Sequence, residues 1–229
     1  MKGIVCSGKG EGKKYIAMDE YKKQIEEKFN FSPYEGTLNL ELSKEIFDDL
    51  KNIEGINLRG FKKGNKFFGD VKSFPVEIDG RKCALLLPAM SKHSSVVEIV
   101  CGEKFRNGLR DGDDVFFFFE PFEKKGVDAS FFALPHCGME ESRITIYYDS
   151  PFEEGRRDLF CEENREDAYL KRFIGRDAAS MIFEGEGKEE YKKLFEWIKR
   201  KGYSIISPLR KIKYSCLNEW QIEIKIKRE

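Results

Sequence analysis

Neither sign of charge is in excess in this chain: 41 Lys and Arg residues face 41 Asp and Glu residues. Without a net field there is no general attraction to nucleic acid or to an anionic bilayer, so neither is expected as a partner. Any anion site has to be local. Histidine is nearly missing, with two in 229 residues. The six cysteines (Cys6, Cys83, Cys101, Cys137, Cys161, Cys216) include no Cys-x-x-Cys pair, so no zinc site is expected. No signal peptide is legible at the glycine-interrupted start, and reduced thiols in a cytoplasmic protein are the expectation. No apolar run approaches the ~20 residues that span a bilayer; Val115 to Phe119 reads as a buried strand at most.

Against these absences stand a hydrophobic fraction of 40% and 20 Phe residues, the composition of a folded chain. The pattern along it changes once. From residue 1 to about 124 the chain reads as short strands, one clear helix and turns, among them Asp79-Gly80 and Asp111-Gly112-Asp113. Strands are expected at Gly3–Cys6, Gly36–Leu42, Phe67–Ile78, Lys82–Leu87, Val96–Val100 and Val115–Phe119. Asp19 is the expected N-cap of a helix through Phe29, with Tyr21, Ile25 and Phe29 as its apolar stripe. Many short strands with one helix suggest a small β-barrel. Glu123-Lys124-Lys125-Gly126 reads as a linker. Beyond it, strands are expected at Ile144–Tyr148, Leu159–Cys161, Ala178–Phe183, Tyr203–Ile206 and Trp220–Ile226, with an amphipathic helix over Lys188–Lys201. Two domains are expected, 1–124 and 125–229.

Two short patterns carry chemistry. Ser7-Gly8-Lys9-Gly10-Glu11-Gly12-Lys13-Lys14 lacks Walker A spacing, yet three glycines in five residues let backbone N–H groups curl around an anion beside lysine charge. In Gly36-Thr37-Leu38-Asn39-Leu40 the two-residue period puts Thr37 and Asn39 on one face and the leucines on the other. Two neutral oxygens suit a magnesium ion whose charge is balanced mainly by nucleotide. Ser91-Lys92-His93-Ser94-Ser95 with Glu98 could hold a polyhydroxylated substrate, Glu98 accepting the proton of an attacking hydroxyl. A solvated turn, an ordinary strand and a surface loop are the plain alternatives for these three.

Five segments in order resemble the archaeal CTP-dependent riboflavin kinase family over residues 1 to about 122. They are the glycine loop, Phe31-x-Pro33-Tyr34-Glu35-Gly36-Thr37-Leu38-Asn39-Leu40, Pro88 to His93-Ser94-Ser95, Lys104-Phe105-Arg106 and Asp111-Gly112-Asp113. The resemblance implies a six-stranded cradle-loop β-barrel with one main helix, transferring the γ-phosphate of CTP to the 5′-hydroxyl of riboflavin to give FMN. It further implies that Gly8, Lys9, Gly10, Glu11, Gly12 and Lys13 line the nucleotide phosphates. Thr37 and Asn39 would hold Mg2+, Ser91 and Glu98 would contact the flavin, and Glu103, Lys104, Phe105 and Arg106 would bind nucleotide. This chain is about one residue shorter than the family between His93 and Glu98.

The second half is similar to gyrase-inhibitor-like (GyrI-like) effector-binding domains over about 143–227. The residues that carry this are Ile146-Tyr147-Tyr148-Asp149-Ser150-Pro151, Tyr191, Trp197-Ile198, Gly202-Tyr203, Pro208, Arg210, Ile212, Tyr214 and Glu219 through Ile224. The fold class implied for the whole chain is α+β, a barrel followed by a β-α-β-β half-domain. In the last strand Trp220, Ile222, Ile224 and Ile226 face one side, beneath the 188–201 helix. Glu219, Gln221, Glu223 and Lys225 face the other, where Glu223 is the candidate carboxylate for an unknown, cationic small molecule. About 105 residues hold one repeat and a fragment, so a homodimer is expected to complete the groove. Beside the kinase reading stand two others: a flavin- or nucleotide-sensing protein without kinase activity, and a GyrI-like hydrolase on a barrel scaffold.

Overall fold

The computed structural model describes residues 1–8, 12–88, 95–105, 108–133, 143–148, 157–161, 169–185, 187–214 and 219–228. The chain divides into two compact units, Met1–Glu120 and Pro121–Glu229. Antiparallel strands dominate both.

The first unit begins with β1 (Lys2–Cys6), α1 (Gly12–Ile16), α2 (Asp19–Phe29), β2 (Leu38–Glu41) and α3 (Lys44–Asn52). It continues with β3 (Ile56–Leu58), β4 (Phe61–Lys63), β5 (Lys66–Phe68), β6 (Val71–Ile78), β7 (Arg81–Pro88), β8 (Val96–Cys101), β9 (Asp114–Phe116) and β10 (Phe118–Phe119). The main sheet runs β10-β6-β7-β8-β2-β1-β9, with β3 beside β6, so eight strands stand where six were expected. Its two path ends, β9 and β10, are separated in the chain by the fully buried Phe117 alone. The apolar alternation of the strands fills the inside with Val5, Leu38, Leu40, Phe74, Val76, Leu85, Val97 and Ile99.

Helix α2 buries its predicted stripe of Tyr21, Ile25 and Phe29 against Leu58, Ala84, Leu86 and Val100. Asp19 is its first helical residue, with Met18 at the N-cap, and left-handed Asn30 (φ 58°) closes it. One main helix was expected, and the described residues of the unit form three. The additional α3 is capped by Ser43, whose hydroxyl accepts the Ile46 N–H at 3.3 Å, and it buries Phe47 and Leu50.

Reduced thiols were expected throughout, and Cys83 and Cys101 depart from that. They form a disulfide between residues that pair directly across β7 and β8, with Cα atoms 4.4 Å apart. Cys6 lies outside that disulfide.

The second unit contains β11 (Phe122–Ala133), β12 (Arg143–Tyr148), β13 (Arg157–Cys161), β14 (Tyr169–Glu184), α4 (Lys188–Arg200), β15 (Tyr203–Tyr214) and β16 (Glu219–Arg228). Its six strands close as β11-β13-β12-β15-β16-β14. The expected linker at 123–126 is instead part of β11, and the division of the chain comes just before that strand. Its charges are strand residues: Tyr203 Oη donates to Glu123 Oε2 at 2.8 Å, and Lys124 is buried. Helix α4 lays Leu194 and Ile198 on Ala179, Met181, Ile222, Ile224 and Ile226, the face of β16 expected beneath it. Among the described residues, no helix is long and apolar enough to cross a membrane.

Candidate active site

Glycine spacing and strand alternation together build the site on the outward face of β1, β2 and β8. Asn39 pairs with Cys6 of β1 on one side and with Glu98 of β8 on the other. Directly opposed residues in an antiparallel ladder project to the same face, so the Asn39 amide and the Glu98 carboxylate stand side by side. Thr37 lies two residues before Asn39, and its Oγ1 is 3.5 Å from Asn39 Oδ1. The face that carries Glu98 continues into Leu86 and Val100, which α2 covers.

Both ends of the glycine loop rest on this group. A Cβ at Gly8 would collide with the Asn39 side-chain amide. A Cβ at Gly12 would strike Thr37 Oγ1 and come within 2.7 Å of Glu98 Oε2. Glycine at these two positions is therefore a matter of close approach, which brings loop backbone down onto the polar row. Gly12 opens α1, and Lys13 follows it on the exposed side.

The start of the loop is anchored from the Asp111-Gly112-Asp113 turn. Ser7 Oγ donates to Asp111 Oδ2, the Val5 N–H donates to Asp113 O at 2.8 Å, and the Gly112 N–H returns to Val5 O at 2.8 Å. Asp113 Oδ2 in turn accepts the Arg110 N–H at 2.7 Å. The turn thus locks β1 just ahead of Gly8.

The segment from Glu103 to Phe105 leaves the end of β8, the strand that carries Glu98. The Tyr34 N–H donates to Cys101 O at 2.8 Å, so the chain that leads into Thr37 and the chain that leads into Glu103 meet at Cys101. Lys9, Gly10, Glu11, Ser91, His93 and Arg106 lie outside the described residues. Thr37, Asn39 and Glu98 are brought together beneath Gly8 and Gly12.

Magnesium fits this donor set. Hydroxyl and amide oxygens are hard ligands, Glu98 supplies a nearby carboxylate, and Mg2+ commonly takes few protein oxygens while keeping water and phosphate.

A family model described as CTP-dep_RFKase, "Domain of unknown function DUF120", matches residues 5–117. Riboflavin kinase of Ignicoccus hospitalis is 36% identical over 121 residues, covering 50% of this chain and 68% of that protein. The chain belongs to the CTP-dependent riboflavin kinase family. The riboflavin kinase of Thermoplasma acidophilum is 37% identical over 118 residues, and that of Archaeoglobus fulgidus 38% over 121. These two alignments cover 49% and 50% of this chain, and 54% and 52% of the relatives, so the chain spans about half the length of the curated relatives it matches. For the solved C-terminal domain of EcmrR, 15% identity and a TM-score of 0.36 over 48% of this chain and 98% of that one carry no fold assignment.

In the second unit Glu223 is 3% exposed, on the face of β16 turned away from α4. Its Oε1 accepts from Lys124 Nζ, and both side chains are at most 5% exposed. Beside it, Gln221 Nε2 donates to Ser180 Oγ at 2.8 Å and Ser180 Oγ donates to Ile222 O at 3.0 Å. The carboxylate expected to await a cationic ligand thus already holds an ammonium.

Two residues beside these groups had no role expected of them: Lys124, against Glu223, and Arg81, whose Nε lies 3.3 Å from Glu103 Oε1. Lys124 carried no signal, because a charged dipeptide before glycine reads as solvated loop. Arg81 had one: it follows the Asp79-Gly80 turn, which fixes its place.

Proposed function

We propose that this protein is a riboflavin kinase that transfers the γ-phosphate of CTP to the riboflavin 5′-hydroxyl, releasing CDP and FMN. The observation that carries this reading is the convergence of Thr37, Asn39 and Glu98 under Gly8 and Gly12 in a chain of this family. The backbone from Gly8 to Lys13 cradles the triphosphate, with Lys9 and Lys13 adding positive charge. Glu103, Lys104, Phe105 and Arg106 hold the nucleotide, and Ser91 and Glu98 contact the flavin. Thr37 and Asn39 would hold Mg2+, which when bound neutralises phosphate charge. The hydroxyl oxygen attacks the γ-phosphorus in line as the bond to the β-phosphate oxygen breaks, and Glu98 takes the hydroxyl proton. Loop amides facing the phosphate oxygens stabilise the charge that shifts toward the leaving group.

In the same reading the first unit is a cradle-loop barrel and the second a GyrI-like module that takes an unidentified small molecule at the Glu223 face. A cationic ligand there has to compete with Lys124. A homodimer, argued from an incomplete groove, loses that argument because the six strands close within one chain. Light scattering at working concentration decides it.

The test of the kinase is direct. Protein is incubated with riboflavin, Mg2+ and each nucleoside triphosphate in turn, and FMN is followed by chromatography. FMN formed best with CTP supports the reading. Flavin binding without FMN from any donor overturns it in favour of a sensor.

A further inference from the structure

Arg81 is the first residue after a turn in which Asp79 and Gly80 both take positive φ, 49° and 73°. That backbone is the tight two-residue hairpin that holds its flanking strands in fixed register. Arg81 accordingly pairs with Ile78 across it. On its other side β7 pairs with β8 only as far as Cys83 and Cys101, which the disulfide joins. One same-face step beyond that pair brings Arg81 opposite Glu103, where β8 has ended and the chain has no ladder to follow. The side chain takes over there: Arg81 Nε lies 3.3 Å from Glu103 Oε1, and its guanidinium carbon stands 5.3 Å from the centre of the Phe105 ring. One arginine therefore holds two residues of the segment that leaves β8.

We propose that Arg81 is a positioning residue for the nucleotide, acting by pre-setting Glu103 and Phe105; this rests on the assignment of that segment to nucleotide binding in the kinase reading. Arg81 is 45% exposed and Glu103 65%, and an exposed ion pair of this kind adds little to folding. Its effect lies in the conformers that the segment no longer has to surrender when nucleotide binds. The guanidinium is suited to the task because its plane stacks on an aromatic ring while its N–H groups engage a carboxylate; a lysine can supply the charge but not the plane.

The experiment is calorimetric titration of the full chain with CTP and, separately, with riboflavin. Arg81→Ala should weaken CTP binding roughly five- to tenfold, with the riboflavin constant and the melting temperature unchanged. Arg81→Lys should fall between wild type and Arg81→Ala. Equal CTP affinity in wild type and Arg81→Ala overturns the proposal, as does equal weakening of CTP and riboflavin binding or a wild-type protein that binds no CTP. A protein that binds CTP through Arg81 but makes no FMN would uphold the proposal and refute the kinase reading.

Discussion

Asn39 and Glu98 are direct partners in the ladder between β2 and β8, so an amide and a carboxylate occupy neighbouring places on one face. In the proposed phosphoryl-transfer reaction this would separate two tasks by a single strand spacing, metal at Asn39 and proton at Glu98. Glu98→Gln should lower kcat by roughly 10²- to 10⁴-fold, the usual range for a general base. CTP affinity, measured by titration, should remain within a factor of about two. Asn39→Ala should instead raise the Mg2+ concentration needed for half-maximal FMN formation.

Gly12 offers a sharper geometric test, since a methyl group there meets Thr37 Oγ1 and Glu98 Oε2 at once. Gly12→Ala should push the loop off the polar row and reduce kcat/KM by about 100-fold, the scale expected for a small misplacement of reacting groups. Steady-state FMN formation checks it, and retained riboflavin binding shows that the unit is folded.

Lys124 and Glu223 predict a stability effect in the second unit. Lys124→Met removes an ammonium from a buried carboxylate and should cost roughly 3–5 kcal/mol. The double variant Lys124→Met, Glu223→Leu should recover most of that loss, because replacing both members of a buried pair by apolar groups is commonly near neutral. Urea denaturation followed on the second unit measures both.

Asp49 makes stability depend on pH. It is 7% exposed on α3, and its Oδ2 has no hydrogen-bond partner among the described residues. Burial, with a smaller contribution from the Asp48 charge, pushes its pKa above the ordinary 3.8. A raised carboxyl pKa in the folded state means that the neutral acid favours folding. That stability is fully present below the unfolded pKa and is lost as pH rises through the folded one. Asp49→Asn should lack this loss, so the stability difference, variant minus wild type, should increase between pH 3.5 and 7 in chemical denaturation.

The disulfide can be removed without mutation. It joins residues 18 apart, a loop for which closure entropy is worth about 3 kcal/mol. Melting with and without dithiothreitol should show the transition of the first unit falling on reduction.

Local features were readable where the physics is local. The Tyr21, Ile25 and Phe29 stripe, the Asp79-Gly80 turn and the Ile222, Ile224 and Ile226 face depend on periodicity or backbone preference within a few residues, and the structure uses each of them. The close approach of Gly12 to Thr37 was not readable from either pattern alone, since it follows from the path of a loop across two strands. Cys83 and Cys101 looked scattered because strand register, and not sequence spacing, makes them neighbours. Lys124 looked solvated because its partner, Glu223, lies 99 positions away. In each miss a long-range contact gave a residue a setting that its immediate neighbours did not signal.

The place of β1 between β2 and β9 has a consequence for synthesis. Translation makes Ser7 and Gly8 among the earliest residues. The Asp111 and Asp113 groups that anchor the strand before them, and the β9 edge beside it, emerge more than a hundred codons later. A nascent chain stalled before residue 111 has the glycine loop and the β2 edge beside β1, but lacks the Asp111 and Asp113 contacts and the β9 edge. The first part of the site to leave the ribosome is thus secured on its second side only when nearly the whole unit has been made.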